Sequence, residues 1–173
     1  MQCAPTLTMS DSAVRMWAFR LPPGTDLKRE LASLVTKGGL KAAFVAACVG
    51  SLAAARLRMP TASGETAEVL TVEEPMEIVS LAGTLSPEGL HLHIAVSLRD
   101  GRCVGGHLLD GCLIHTTAEI VLGELTDLTF RRLRDAETGY RELMVSAANL
   151  NAAERSDSHP DPLRSAPRDP NRG

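Results

Sequence analysis

The sequence predicts an α+β domain, a mostly antiparallel sheet of about seven strands with one main helix packed on it. Three observations carry that prediction. Alternating apolar and polar residues recur in short runs between turn signals, which is the period of half-buried strands. One stretch has helical spacing with a cap before it and glycines after it. Beyond about Asn149 the composition changes, with Pro160, Pro162, Pro167 and Pro170 scattered among Asp, Ser, Asn and Arg. The chain therefore divides into a flexible leader over 1–14, a domain over 15–146 and a disordered tail over 147–173.

Arg15 to Leu21 alternates Met16, Ala18 and Arg20 against Trp17, Phe19 and Leu21, so it is a first strand, ended by Pro22-Pro23-Gly24. The helix follows. Thr25 or Asp26 caps it, and Leu27, Leu31, Leu34 and Val35 fall on one face. Gly38-Gly39 supplies the left-handed stop. Lys41 to Gly50 is a buried apolar strand, and Gly50-Ser51 marks a bend or bulge. Leu52 to Met59 has helix-forming alanines but is short and follows a bend, which favours strand. Glu68 to Val72 is a short strand and Pro75 to Ser86 a longer one. Ser86-Pro87-Glu88-Gly89 is a turn with proline in its second position.

The segment from Gly89 to His107 is a β-hairpin holding three of the five histidines. Leu90, Leu92, Ile94, Val96 and Leu98 alternate with His91, His93, Ala95 and Ser97, and Arg99-Asp100-Gly101 turns the chain. Two registers are open. A three-residue loop with Gly101 left-handed pairs Leu98 with Arg102 and sets His93 opposite His107, with His91 on the same face. A two-residue Asp100-Gly101 loop pairs His107 with Ile94 and sends it to the other face. After the Asp110-Gly111 break, Cys112 to Leu122, Leu125 to Arg134 and Tyr140 to Val145 are the last strands.

Net charge is −3, so no global basic field draws the chain to nucleic acid, and aromatics are only 3%, which argues against a base-stacking platform. Cys3, Cys48, Cys103 and Cys112 contain no CxxC pair. Together with the lack of a basic, apolar leader, they read as reduced thiols of an intracellular protein, with Cys48 and Cys103 as small core residues. The longest apolar run, Ala42 to Val49, is too short to span a bilayer. No glycine-rich phosphate loop and no Gly-x-Ser-x-Gly occurs.

Three imidazoles with an open fourth position suit Zn²⁺, whereas a polar sheet face needs each ring only to hydrogen-bond a neighbour. Glu119 is a candidate general base or an acceptor behind the ligands, against a structural ion pair with Arg56 or Arg58. Gly105-Gly106 before His107 lets another backbone approach or makes a bulge. His115 lies past the break and reads as an exposed strand residue, and His159 belongs to the tail. Arg131, Arg132 and Arg134, flanked by Asp127, Asp135 and Glu137, read as a solvated face.

Several segments in this order resemble one family. They are Pro23-Gly24-Thr25-Asp26-Leu27, Gly50-Ser51-Leu52 through Leu57-Arg58, and Glu77-Ile78-Val79-Ser80-Leu81-Ala82-Gly83. His91-Leu92-His93-Ile94, Gly105-Gly106-His107-Leu108, Thr116-Thr117-Ala118-Glu119 and Thr138-Gly139-Tyr140 follow. The succession is similar to the PPC (plants and prokaryotes conserved) domain, in its stand-alone form. The resemblance implies a homotrimer, with metal in some stand-alone members, and maps the family's histidine motif onto His91, His93 and His107, which favours the three-residue turn. The Arg-Gly-Arg-Pro AT-hook core of land-plant members is absent. Where the plant segment for contacting transcription factors reads Gly-Arg-Phe-Glu-Ile-Leu, this chain has Glu74-Pro75-Met76-Glu77-Ile78-Val79.

The expectation is a cytoplasmic (nuclear, if the cell is eukaryotic), homotrimeric protein that binds zinc or another transition metal through His91, His93 and His107. Its role would be interaction or regulation, linked to DNA through a protein partner, with no membrane contact. The alternative is a zinc-dependent enzyme in which the three histidines hold the metal, a bound water is activated and Glu119 moves protons.

Overall fold

The structure is a computed structural model that describes residues 10–61 and 66–148. Nine strands and one helix run in the order β1 (Val14–Leu21), α1 (Leu27–Gly38), β2 (Ala43–Arg58), β3 (Val69–Val72), β4 (Met76–Ser86), β5 (Gly89–Ser97), β6 (Cys103–Leu108), β7 (Leu113–Leu125), β8 (Leu128–Arg134) and β9 (Arg141–Ala147). His159 and most of the expected leader and tail lie outside the described residues.

Seven strands form one antiparallel sheet in the order β1-β7-β2-β4-β5-β6, with β3 beside β2. The sheet also closes on itself. The end of β2 pairs with β6, setting Leu57 opposite Leu108 and Arg58 opposite His107. The strands β2, β4, β5 and β6 thus make a ring, which sequence patterning did not predict. Instead of joining the main sheet, β8 and β9 pair with each other as a separate two-stranded ribbon.

Residues expected as two strands around Gly50 form the single long strand β2. The expected bend is taken up by register shifts against β7 on either side of Gly50. A 16-residue strand can follow a strongly curved sheet only if extra residues are inserted as bulges, which increase its twist. The last strands are displaced too: β7 continues to Leu125 and β8 begins at Leu128.

The helix forms as its sequence dictates. Asp26 is the cap, accepting a hydrogen bond from Arg29 N at 3.1 Å, and Gly39 ends the helix in the left-handed conformation at φ 64°. The second carboxylate oxygen of Asp26 accepts from Gly111 N at 2.7 Å, tying the helix start to the break before β7. Leu27, Leu31 and Val35 are fully buried and join Leu52, Leu85, Leu92, Ile114 and Ile120 in the main core. Burying each such side chain contributes about 1.5–3 kcal/mol. Leu92, Ile94 and Val96 of β5 point into this core, so His91 and His93 must point out of it.

Cys112 is buried and Cys48 half-buried, but Cys103, expected in the core, is exposed. Burial raises the Cys48 thiol to about 11. No helix among the described residues is long and apolar enough to cross a membrane.

Candidate metal centre

The hairpin turn decides the geometry. Leu98 N donates to Arg102 O at 2.8 Å, Gly101 N donates to Leu98 O at 3.0 Å, and Gly101 has φ 83°. This is the three-residue loop, and it sets His93 directly opposite His107. Asp100 stiffens the turn by accepting from Arg102 N at 3.0 Å. His91 lies two residues along β5 on the same face, so the three rings meet with centroids 5.0, 5.2 and 5.5 Å apart.

No bulge interrupts the β5–β6 register, so Gly105-Gly106 serves close approach instead. A Cβ on Gly105 would lie 2.8 Å from Ile94 O, and one on Gly106 would lie 3.0 Å from Arg58 O. The bare backbone lets β6 fit between β5 and the end of β2.

One ligand nitrogen from each of the three rings lies within 4.8 Å of the others. His91 Nε2 and His93 Nε2 are 3.2 Å apart. Nitrogens bound tetrahedrally at 2.0–2.1 Å from zinc are separated by about 3.3–3.4 Å, so the set needs shifts of about an ångström to close on one ion. Two ring nitrogens this close repel unless a proton or a cation lies between them. His107 Nδ1 is buried without a hydrogen-bond partner among the described residues, an arrangement that leaves its desolvation uncompensated. Burial, then the nearby Arg58 charge, then the other two rings push the His107 imidazolium down to about 4, and burial and Arg132 also lower His91. His107 is therefore unprotonated at neutral pH, the form that binds metal. The donor set and its electrostatics fit a borderline-soft divalent cation.

The cluster opens on one side into a cavity of about 350 Å³, lined by Arg58, Glu88, His91, His107, Arg132 and the start of β9. Arg132 corrects the expected solvated face. It is only 7% exposed, its Nη2 donates to Thr84 Oγ1 at 2.6 Å, and its backbone N donates to Glu88 at 2.9 Å. Arg131 and Arg134 are exposed as expected. Sequence reasoning missed Arg58 and Arg132 as neighbours of the histidines. The signal available was only Arg58 at the end of a long apolar strand and Arg132 alternating with the buried Phe130.

Glu119 is not brought to the cluster. It sits exposed in the middle of β7, opposite Arg20 and Val49, and no ion pair joins it to Arg56 or Arg58 among the described residues. Val49 is nine residues from Arg58 along β2, a span of about 25–30 Å in a strand. His115 is exposed on β7 and lines a different depression, beside Ser51, Glu77 and Arg99.

The family model for the Plants and Prokaryotes Conserved (PCC) domain, the PPC module named above, matches residues 9–126. Curated relatives include the bifunctional protein GlmU of Synechococcus sp. (strain JA-3-3Ab), 45% identical over 77% of this chain, which spans only 21% of that relative's length. The structure of a hypothetical protein from Salmonella enterica is 40% identical and superposes with a TM-score of 0.74 over 80% of this chain and 97% of its own. A metal-containing protein from Archaeoglobus fulgidus, 24% identical, shares the fold with a TM-score of 0.71 over 80% of this chain and 99% of its own. The family match ends before β8, so the ribbon that walls the cavity lies outside the matched span. With the family model running across most of the described domain and a 40% identical structure matched almost end to end, the chain belongs to the Plants and Prokaryotes Conserved domain family.

Proposed function

We propose that the chain is a metal-binding, homotrimeric PCC-domain protein that holds zinc, or another transition metal, through His91, His93 and His107. The convergence of three imidazoles, one of them with an orphaned buried nitrogen, carries the reading. The metal in the Archaeoglobus relative's name supports it. Self-association is supported by the outer face of the sheet, where Val49 and Val79 are more than half exposed on neighbouring strands. The role is one of interaction or regulation. A link to DNA through a protein partner fits the net charge of −3, which supplies no global field toward phosphate.

A second reading, zinc-dependent catalysis, is favoured by one observation: the cluster faces a cavity. Zinc held by three histidines supplies an open position where a bound water ionises near neutral pH. The chain's own residues would orient the reactant there, His91 and His107 at the cavity edge and Arg58 and Arg132 along its wall. Glu119 is too far to move the proton.

The test is metal analysis of the purified protein beside His93→Ala, with the mass in solution recorded. Zinc near one per chain, lost in the variant, and a trimeric mass are expected. Equal metal content in both proteins rejects the ligands, and a monomeric mass rejects the trimer.

A further inference from the structure

We infer that the cavity beside the histidines is a binding site for a small oxyanion, a carboxylate or phosphate group on a small molecule, held by Arg58, Arg132 and Arg141. The inference rests on the metal reading only for the histidine edge of the cavity. The arginines stand on their own geometry.

The cavity is lined by three guanidiniums and two carboxylates, Glu88 and Glu142. Three guanidiniums against two carboxylates leave the wall with an excess of positive charge before any metal is added, and a divalent cation would increase it. The two acids are also engaged. Glu88 accepts from Arg132 N at 2.9 Å and lies 3.6 Å from Arg141 Nη2, while Glu142 accepts from Thr138 Oγ1 at 2.9 Å. Arg58 has no ion-pair partner among the described residues.

Arg132 is anchored through Nη2 to Thr84, so its fork is held in one orientation with little entropy left to lose. Arg141 is clamped by Nε and Nη2 to Arg132 O at 3.1 and 2.8 Å. Arg58 is placed by the closure of the sheet, opposite His107. The β8–β9 ribbon thus brings two anchored guanidiniums, and the far end of β2 a third, to one small concavity. A planar fork matches the two oxygens of a carboxylate or phosphate, which a lysine cannot do. At about 350 Å³ the cavity suits a small molecule.

The test titrates inorganic phosphate and, separately, oxalate into the zinc-loaded and the metal-free full-length protein by calorimetry. Arg58→Gln and Arg141→Gln are measured alongside. Zinc content and thermal unfolding are recorded for each protein. Arg141 is exposed, so its variant keeps the site testable if Arg58→Gln fails to fold. The expected result is binding of at least one anion by the wild-type protein, weakened about tenfold or more in each folded variant, with zinc content unchanged. Preference for phosphate or for oxalate tells a phosphoryl from a carboxylate ligand. Equal binding by wild type and folded variants overturns the inference, as does the absence of binding below about 10 mM in both forms. If the chain takes up no zinc yet binds an anion through Arg58, the metal reading fails and the oxyanion site stands. If zinc is held and neither anion binds, the reverse is true.

Discussion

Replacing His107 with alanine separates what the ring does for the fold from what it does for a metal. In the metal-free chain two effects oppose each other. The half-buried ring packs beside the end of β2, and its removal loses contacts worth about 1–2 kcal/mol. The same removal relieves an unpartnered buried nitrogen, which costs about 1–3 kcal/mol. The net change in metal-free stability should lie between a loss of about 1 kcal/mol and a gain of about 2 kcal/mol, a Tm shift of less than about 10 °C for a domain of this size. With zinc the balance differs. Structural zinc sites with four ligands bind with about 10–16 kcal/mol, so one ligand accounts for about 2.5–4 kcal/mol, or roughly a hundred- to thousandfold in affinity. Zinc at a hundred times its Kd stabilises the wild-type fold by about 2.7 kcal/mol, worth roughly 8–13 °C, and the variant at the same zinc concentration should keep almost none of that. Thermal unfolding followed by circular dichroism, with and without zinc at pH 7.5, reads both quantities. A zinc-induced shift of equal size in His107→Ala would refute the assignment of that ring, and no shift in the wild type would refute the site.

Two further outcomes follow from the same geometry. In the metal-free chain, His107 titrates near pH 4 when folded and near its ordinary value of 6.5 when unfolded. Between those values the unfolded chain binds more protons, so the ring's contribution to stability is complete above about pH 6.5 and is lost as pH falls toward 4. Urea unfolding from pH 7.5 to 4 should show a decline that is smaller in His107→Ala, and an identical decline would contradict it. Gly105→Ala forces a Cβ to within 2.8 Å of Ile94 O, so β6 must shift away from β5 next to His93. The expected cost is about 1–3 kcal/mol in urea unfolding, with weakened zinc binding, and unchanged values would show that the close approach is not needed.

Much of this molecule could be read from local pattern. Leu27, Leu31 and Val35 at helical spacing behind Asp26 were enough to place α1, because caps and amphipathic spacing act within a few residues. Alternation over Gly89–Ser97 placed His91 and His93 on one face for the same reason. The ordered motifs also identified the family, which the model match over residues 9–126 bears out.

What the chain by itself determined was therefore the kind of element and the candidate ligands on each. Tertiary structure decided which residues meet. Asp100-Gly101 suits a two- or a three-residue loop, and the choice sets the face of His107; local turn chemistry is nearly degenerate between them, and Leu98–Arg102 pairing breaks the tie. Arg58 reaches His107 only because β2 closes onto β6, and Arg132 is buried only because β8 folds back against the turn at Glu88. Those contacts join residues 44 or more positions apart, and no periodicity in the sequence encodes separations of that length. Glu119 fails as a partner of the histidines for the matching reason: its strand was legible, but its distance along the sheet was not.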